Sequence, residues 1–335
     1  MEVKHLSRKN LVFASIALGF LITVFLSLGL GLFLITPANK AGKEQVFVIQ
    51  TGHSLREIAE DLENKELVRS KTLFVLWARI KGYSKRIRSG EYLLNSAMGP
   101  AEILEKIRLG KVLTYSVTIP EGATRHQIAD LLHENELAHR NIFLSLTEDP
   151  EILKKHNIFG LSLEGYLFPD TYQFERGISP SLIIETMVRR FRQMTDPLKA
   201  QAREAGMSME EILILASIVE KETGRPDERA LIASVFLNRL KLGMRLQSDP
   251  TVIYGMERFD GKLRKKDLME KTPYNTYVIR GLTPGPICNP GLESIKAVIF
   301  PATTDYLYFV SKNDGSHQFS TTLSEHNCAV DKYQK

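Results

Sequence analysis

From Leu11 to Ile35 every residue is apolar or small, and no charge occurs between Lys9 and Lys40. That run exceeds the roughly 20 residues a helix needs to cross a bilayer core. Lys4, Arg8 and Lys9 precede it, which favours an N-terminus left inside. A cleaved signal would show a shorter apolar stretch, of about 7–15 residues, and a small-residue cleavage site. Thr36-Pro37-Ala38-Asn39 is a poor one. The pattern predicts a cytoplasmic stretch over 1–10, a single-pass anchor over 11–36 and a linker over 37–45. The remainder then lies outside the cytoplasm.

Past the anchor the periodicity switches between strand and helix. Val46-Phe47-Val48-Ile49 reads as a strand, Gly52 as a turn, and Leu55 to Asn64 as a helix opened by the capping-box pair Ser54 and Glu57. Seventy residues later Val117-Thr118-Ile119 leads to Gly122 and to a second pair, Thr124 and Gln127. Ile58, Ala59, Leu62 and Leu67 match Ile128, Ala129, Leu132 and Leu137 at the same offset, on one helical face. Each copy continues to a Tyr-Leu strand, Gly90 to Leu94 and then Gly165 to Phe168. A duplicated β–α–β unit with helical inserts is expected. The first copy, Phe47 to Ala59, resembles the LysM pattern of cell-wall-binding modules, which implies contact with glycan containing N-acetylglucosamine. Packing of a strand, a turn and a capped helix on their neighbours explains the same residues.

Composition narrows the picture further. A 335-residue chain with 43% hydrophobic residues can build ordinary cores without disulfide staples. The net charge of +5 is spread along the chain, and no run of like charges marks a nucleic-acid arm, so nucleic acid is not expected as a partner. Cys288 and Cys328 are too few for a disulfide framework, and whether they pair stays open. The histidines lack metal-ligand spacing, so no metal or cofactor is expected. His317 and His326 are expected to face solvent in a terminal hairpin and loop. That hairpin joins Tyr306–Val310 to His317–Ser320 through Asn313-Asp314-Gly315.

The candidate chemistry begins at Ser208, which with Glu211 caps a helix running through Ile212-Leu213-Ile214-Leu215-Ala216 to Glu220 and Glu222. Gly224 and Pro226 end it. A helix apolar on nearly every side is buried. A carboxyl among apolar neighbours at a helix's carbonyl end can keep a proton, as a group that protonates a departing sugar oxygen must. Glu220 takes that part. Glu222 points to another side and takes the ordinary part of a solvated helix end.

Several long segments then resemble, in order, the MltG/YceG-like endolytic murein transglycosylases. They are Glu164-Gly165-Tyr166-Leu167-Phe168-Pro169-Asp170-Thr171-Tyr172, Ala216 to Thr223, Val235 to Leu240, and Met244 to Tyr254. Tyr274-Asn275-Thr276-Tyr277, Gly281 to Ile287 and Tyr308-Phe309-Val310 complete the series. The resemblance implies an α+β fold: a transmembrane helix, a LysM-like β–α–β module over 46–115, and a catalytic domain over 116–335 holding a second LysM-like repeat at about 116–175. It implies that Glu220 is catalytic and cuts the bond between N-acetylmuramic acid and N-acetylglucosamine, leaving a 1,6-anhydromuramic end. It implies further a place in the inner membrane with the catalytic domain periplasmic, peptidoglycan glycan strands as substrate, and peptidoglycan synthases (penicillin-binding proteins) as partners.

The candidate supporting residues each admit a functional and a structural role. Glu164 is a candidate for orienting substrate or Glu220, or for a structural hydrogen bond at a turn. Gln247 and Asp249 could bind sugar hydroxyls, although Asp-Pro is also plain turn chemistry. Tyr254, Asn275 and Tyr277, with Tyr274, offer rings and an amide suited to glycan or to the rim of a core. Ser217 can bond Glu220 or its own helix. The Gly281–Gly291 stretch reads as a shaped loop on a cleft wall or as a crossover. Two other functions fit the sequence: a hydrolytic muramidase, with water as acceptor, and a non-catalytic peptidoglycan-binding scaffold.

Overall fold

The computed structural model describes residues 8–83 and 87–334; Lys4 lies outside them, as do the side chains of Arg8 and Lys9. The chain divides into two compact units, Met1–Thr114 and Tyr115–Lys335.

In the first unit, α1 (Arg8–Ile35) is the one described helix long and apolar enough to cross a membrane. Its Val12–Ile35 span has a mean hydropathy of 2.5 and is almost wholly uncovered by protein. Its end meets the start of α4 (Pro100–Arg108), where Gly99 is required: a Cβ there would stand 2.7 Å from the Leu34 carbonyl oxygen. β1 (Glu44–Ile49) and β2 (Gly90–Asn95) pair antiparallel with Phe47 opposite Tyr92. Alternation sends Phe47 and Ile49 inward and leaves Val46 and Val48 exposed. Between the strands lie α2 (Leu55–Asn64) and α3 (Lys71–Ile80). The Ser54–Glu57 capping box opens α2, and its Leu55, Ile58, Ala59 and Leu62 face the core.

The second unit starts with β3 (Tyr115–Thr118), α5 (Arg125–Glu134), α6 (Arg140–Thr147), α7 (Pro150–Lys155) and β4 (Thr171–Phe174). Strand, capped helix and returning antiparallel strand thus recur, with Val117 opposite Tyr172 and the Thr124–Gln127 box in place. The returning strand is displaced, however. Gly165 to Phe168 form a turn and not the expected strand. Gly165 has φ +88, the space where its Cβ would project holds the Pro286 ring, and the Leu167 N–H donates to Asn289 Oδ1. Backbone bent and bonded in this way cannot join a ladder.

After α8 (Pro180–Thr195) and α9 (Lys199–Glu204) comes α10 (Met209–Glu222), capped by Ser208 and Glu211 as its sequence predicts. All eight residues from Ile212 to Val219 are buried, against α11 (Arg229–Lys241) and α13 (Leu292–Ile299). Burying each large aliphatic contributes about 2 kcal/mol, which fixes the helix in place. α12 (Asp249–Gly255) begins with the Asp-Pro expected as a turn. β5 (Tyr308–Ser311) and β6 (His317–Ser320) form the expected hairpin. The chain beyond β6 forms a helix and not the expected loop: α14 (Leu323–Tyr333) is opened by a Thr322–Glu325 capping box. His317 does not face solvent: its Nδ1 lies 2.6 Å from Glu228 Oε2, and its backbone N–H donates to Glu228 Oε1. His326 stacks on Tyr308. Cys288 is buried, Cys328 is exposed, and both are free. Helices with three separate two-stranded antiparallel sheets, among the described residues, make the fold a mixed α and β one.

Candidate active site

Glu220 occupies the last turn of α10, which stops because Thr223 is extended, with φ −144 and ψ 138. The carboxyl is mostly buried and touches two other segments. Its Oε2 accepts from the Gly291 N–H at 2.9 Å, and its Oε1 lies 3.5 Å from Arg229 Nη2. Arg229 is the first residue of α11, and the same nitrogen lies 3.6 Å from Glu121 Oε2. Glu121, in the β3–α5 loop, lies across Gly291: a Cβ on that glycine would sit 2.0 Å from Glu121 Oε1. Burial pushes the Glu121 carboxyl up, the Glu220 charge adds to this, and Arg229 opposes it.

The loops are tied together by Asn289, which is wholly buried. Its Nδ2 donates to the Ala123 carbonyl and to Glu164 Oε1, both at 2.9 Å. Its main chain bonds Gly122 and Ala123, and its Oδ1 accepts from Leu167. Arg229, Glu121, Gly291 and Asn289 were not singled out from the sequence. The only signal pointing to any of them was the Pro- and Gly-rich stretch read as a shaped loop.

Glu164 does not touch Glu220. Its oxygens accept from the Arg125 N–H at 3.0 and 3.2 Å, from Asn289, and from the Tyr254 hydroxyl at 3.1 Å. Burial pushes it up to about 7 against those donors. It sits at the N-terminus of α5, where a carboxylate satisfies an otherwise unpaired amide. Ser217 is fully buried; its hydroxyl donates to the Ile214 carbonyl and accepts from the Ile287 N–H. Asn275 is fully buried too, and its amide closes the loop on the carbonyls of Asp267, Leu268 and Glu270. Gln247, with φ +51, and Asp249 are exposed, and the half-buried Tyr277 donates to Asp249 Oδ1 at 2.6 Å.

Glu222 is not a solvated helix end. It is partly buried, accepts from the Ser248 hydroxyl, and is pushed up to about 7 by burial, with Asp249 adding to the effect. Its difference from Glu220 comes from the turn of the helix, which aims the two side chains at different neighbours. No group of three or more His, Cys, Asp or Glu that could hold a metal ion occurs among the described residues. A hollow of about 470 Å³ at the other end of α10, lined by Tyr166, Arg192 and Glu210 among others, includes none of the site residues.

The Glu220 carboxyl thus has one oxygen on a backbone N–H and the other beside a guanidinium, which fixes its orientation. The sequence pattern of the YceG-like family matches residues 47–332. The chain belongs to that family. It is 36% identical over 317 residues to a Bacillus subtilis (strain 168) protein named endolytic murein transglycosylase, covering 90% of this chain and 88% of that one. A Streptococcus pneumoniae serotype 2 protein of the same name is 29% identical over 324 residues, and the match spans 87% of this chain and 59% of the pneumococcal protein. The crystal structure of a yceG-like protein from Listeria monocytogenes is 34% identical and matches with a TM-score of 0.59, over 86% of this chain and 99% of that one.

Proposed function

We propose that this protein is an endolytic murein transglycosylase, with Glu220 as its acid and base. The observation that carries the reading is the 36% identity, over nearly the whole chain, to a relative of that name. The held carboxyl of Glu220 supports the residue assignment.

The reaction needs one carboxyl in two roles. Protonated Glu220 gives its proton to the oxygen that bridges N-acetylmuramic acid to N-acetylglucosamine, and the bond from the muramic C1 to that oxygen breaks. The N-acetylglucosamine unit leaves with a hydroxyl. Positive charge develops at C1 and is met by the oxygen of the muramic 6-hydroxyl. The hydroxyl proton passes to the Glu220 carboxylate, closing the 1,6-anhydro ring and restoring the acid. Water does not enter, so a second carboxylate to activate it is not required, unlike in inverting hydrolases.

In this reading α1 anchors the chain in the inner membrane with the catalytic unit periplasmic, close to peptidoglycan synthases. The module around β1 and β2 contacts the glycan. The test is a digest of purified glycan strands analysed by mass spectrometry. Anhydromuramic ends from the wild type and intact strands from Glu220→Gln are expected; reducing ends would make the protein a muramidase, and uncut strands a scaffold.

A further inference from the structure

Arg229 faces two carboxylates at nearly equal distance, 3.5 Å to Glu220 and 3.6 Å to Glu121. Its own side chain is only 11% exposed, and its Nε is buried without a partner. Glu121 is different. Its side chain is half exposed, yet it lies directly over Gly291, the residue whose N–H holds Glu220. Three charges from three separate segments therefore meet at one glycine. An ordinary surface ion pair would be flexible and worth little. Here the cation is buried and close to both anions, so it acts through a poorly screened medium.

We infer that Glu121 and Arg229 are positioning residues that act on the Glu220 carboxyl through one shared guanidinium: Arg229 stabilises the Glu220 carboxylate, and Glu121 draws off part of that stabilisation. The inference rests on the acid/base role of Glu220 proposed above. The mechanism requires such a balance. Glu220 must be protonated when substrate arrives, yet must exist as a carboxylate until the 6-hydroxyl gives up its proton. A guanidinium beside a carboxyl favours the second of these states, and a neighbouring carboxylate the first.

Other charged and titratable groups lie nearby. Glu293, in the first turn of α13, adds its negative charge to the surroundings of Glu121. Lys221 follows Glu220 on α10, but its Nζ turns to the Gly122 carbonyl at 3.4 Å. Burial pushes the Cys288 thiol, on the loop before α13, well up, and the charges of Glu164 and Glu220 add to this, so it stays neutral. Glu121 and Arg229 are thus the pair that can move the balance in opposite directions.

The test uses the full-length chain in detergent and single-turnover cleavage of purified glycan strands from pH 4.5 to 9. Glu121→Gln leaves the guanidinium to Glu220 alone. The falling high-pH limb of the profile is expected to move to lower pH, by about 0.7 pH unit against wild type. Arg229→Gln is expected to move that limb to higher pH by about 0.7 pH unit, whatever it does to the maximal rate. Arg229→Lys keeps the charge and should stay near the wild-type profile; if Arg229→Gln melts below the assay temperature, it and Glu121→Gln carry the comparison. Profiles that overlay the wild type, or that shift the same way in Glu121→Gln and Arg229→Gln, overturn the inference and leave Glu220 standing. Cleavage by Glu220→Gln at the wild-type rate would instead remove the reading on which it rests.

Discussion

At the residue scale, three carboxyls near the end of α10 have to be told apart. Glu164 is enclosed by protein donors, Glu222 is held by Ser248, and Glu220 is held by Gly291 and Arg229. Glu220→Gln keeps the shape but has no acidic proton, so cleavage is expected to fall at least 100-fold, since acid/base groups contribute roughly 10²–10⁴-fold. Glu222→Gln keeps an acceptor for Ser248 and is expected to retain activity within about tenfold. If the two variants prove equally dead in the glycan digest, the acid is not Glu220 alone. The same Glu222 variant tests a linkage. Its folded carboxyl is pushed up to about 7 from an ordinary 4.5, so its stabilising effect is full below about pH 4.5 and lost as pH rises through about 7. Burial holds His126, His156 and His326 low, which acts in the opposite direction, so the total slope mixes both. The difference isolates Glu222: the melting temperature of Glu222→Gln minus wild type should be higher at pH 8 than at pH 5. Parallel curves would mean that Glu222 is not strained by burial.

At the element scale, the site is made by loops clamped to the end of one buried helix. Asn289 joins the β3–α5 loop, the Glu164 turn and the Gly281–Gly291 stretch through its side chain and main chain. Asn289→Ala would leave the Leu167 N–H and a Glu164 oxygen without that partner. A loss of about 2–6 kcal/mol is expected in chemical denaturation, each buried unsatisfied group costing roughly 1–3. Cleavage should fall with it, because Gly291 lies two residues away. Gly165 gives a sharper test, since its φ is +88 and a Cβ would meet the Pro286 ring at 2.5 Å. Gly165→Ala combines a left-handed backbone with overpacking against a rigid ring, and a loss of about 2–4 kcal/mol is expected. A melting temperature unchanged from wild type would show that the turn can open.

At the scale of the whole molecule, the apolar helix and the chemistry occupy different units. Deleting residues 1–38 is expected to give a protein that stays in the supernatant after membrane sedimentation and still cuts purified glycan. A folded but inactive truncation would tie the anchor to the site.

The sequence by itself determined whatever depends on local order. Continuous apolarity marked α1, capping pairs marked the starts of α2, α5 and α10, and an unbroken apolar run marked α10 as buried. The order of motifs brought out the family and Glu220. These features are legible because they rest on spacing along one helix or strand. Tertiary structure alone decided what surrounds Glu220. Arg229, Glu121 and Gly291 come from three separate segments and share no periodicity with it, so only packing reveals them. It also decided against the strand at Gly165–Phe168, because the Pro286 ring far along the chain occupies the space that a side chain would need. Glu222 followed the same logic: its hydrogen-bond partner is Ser248 on the approach to α12, and no pattern within α10 carries that contact.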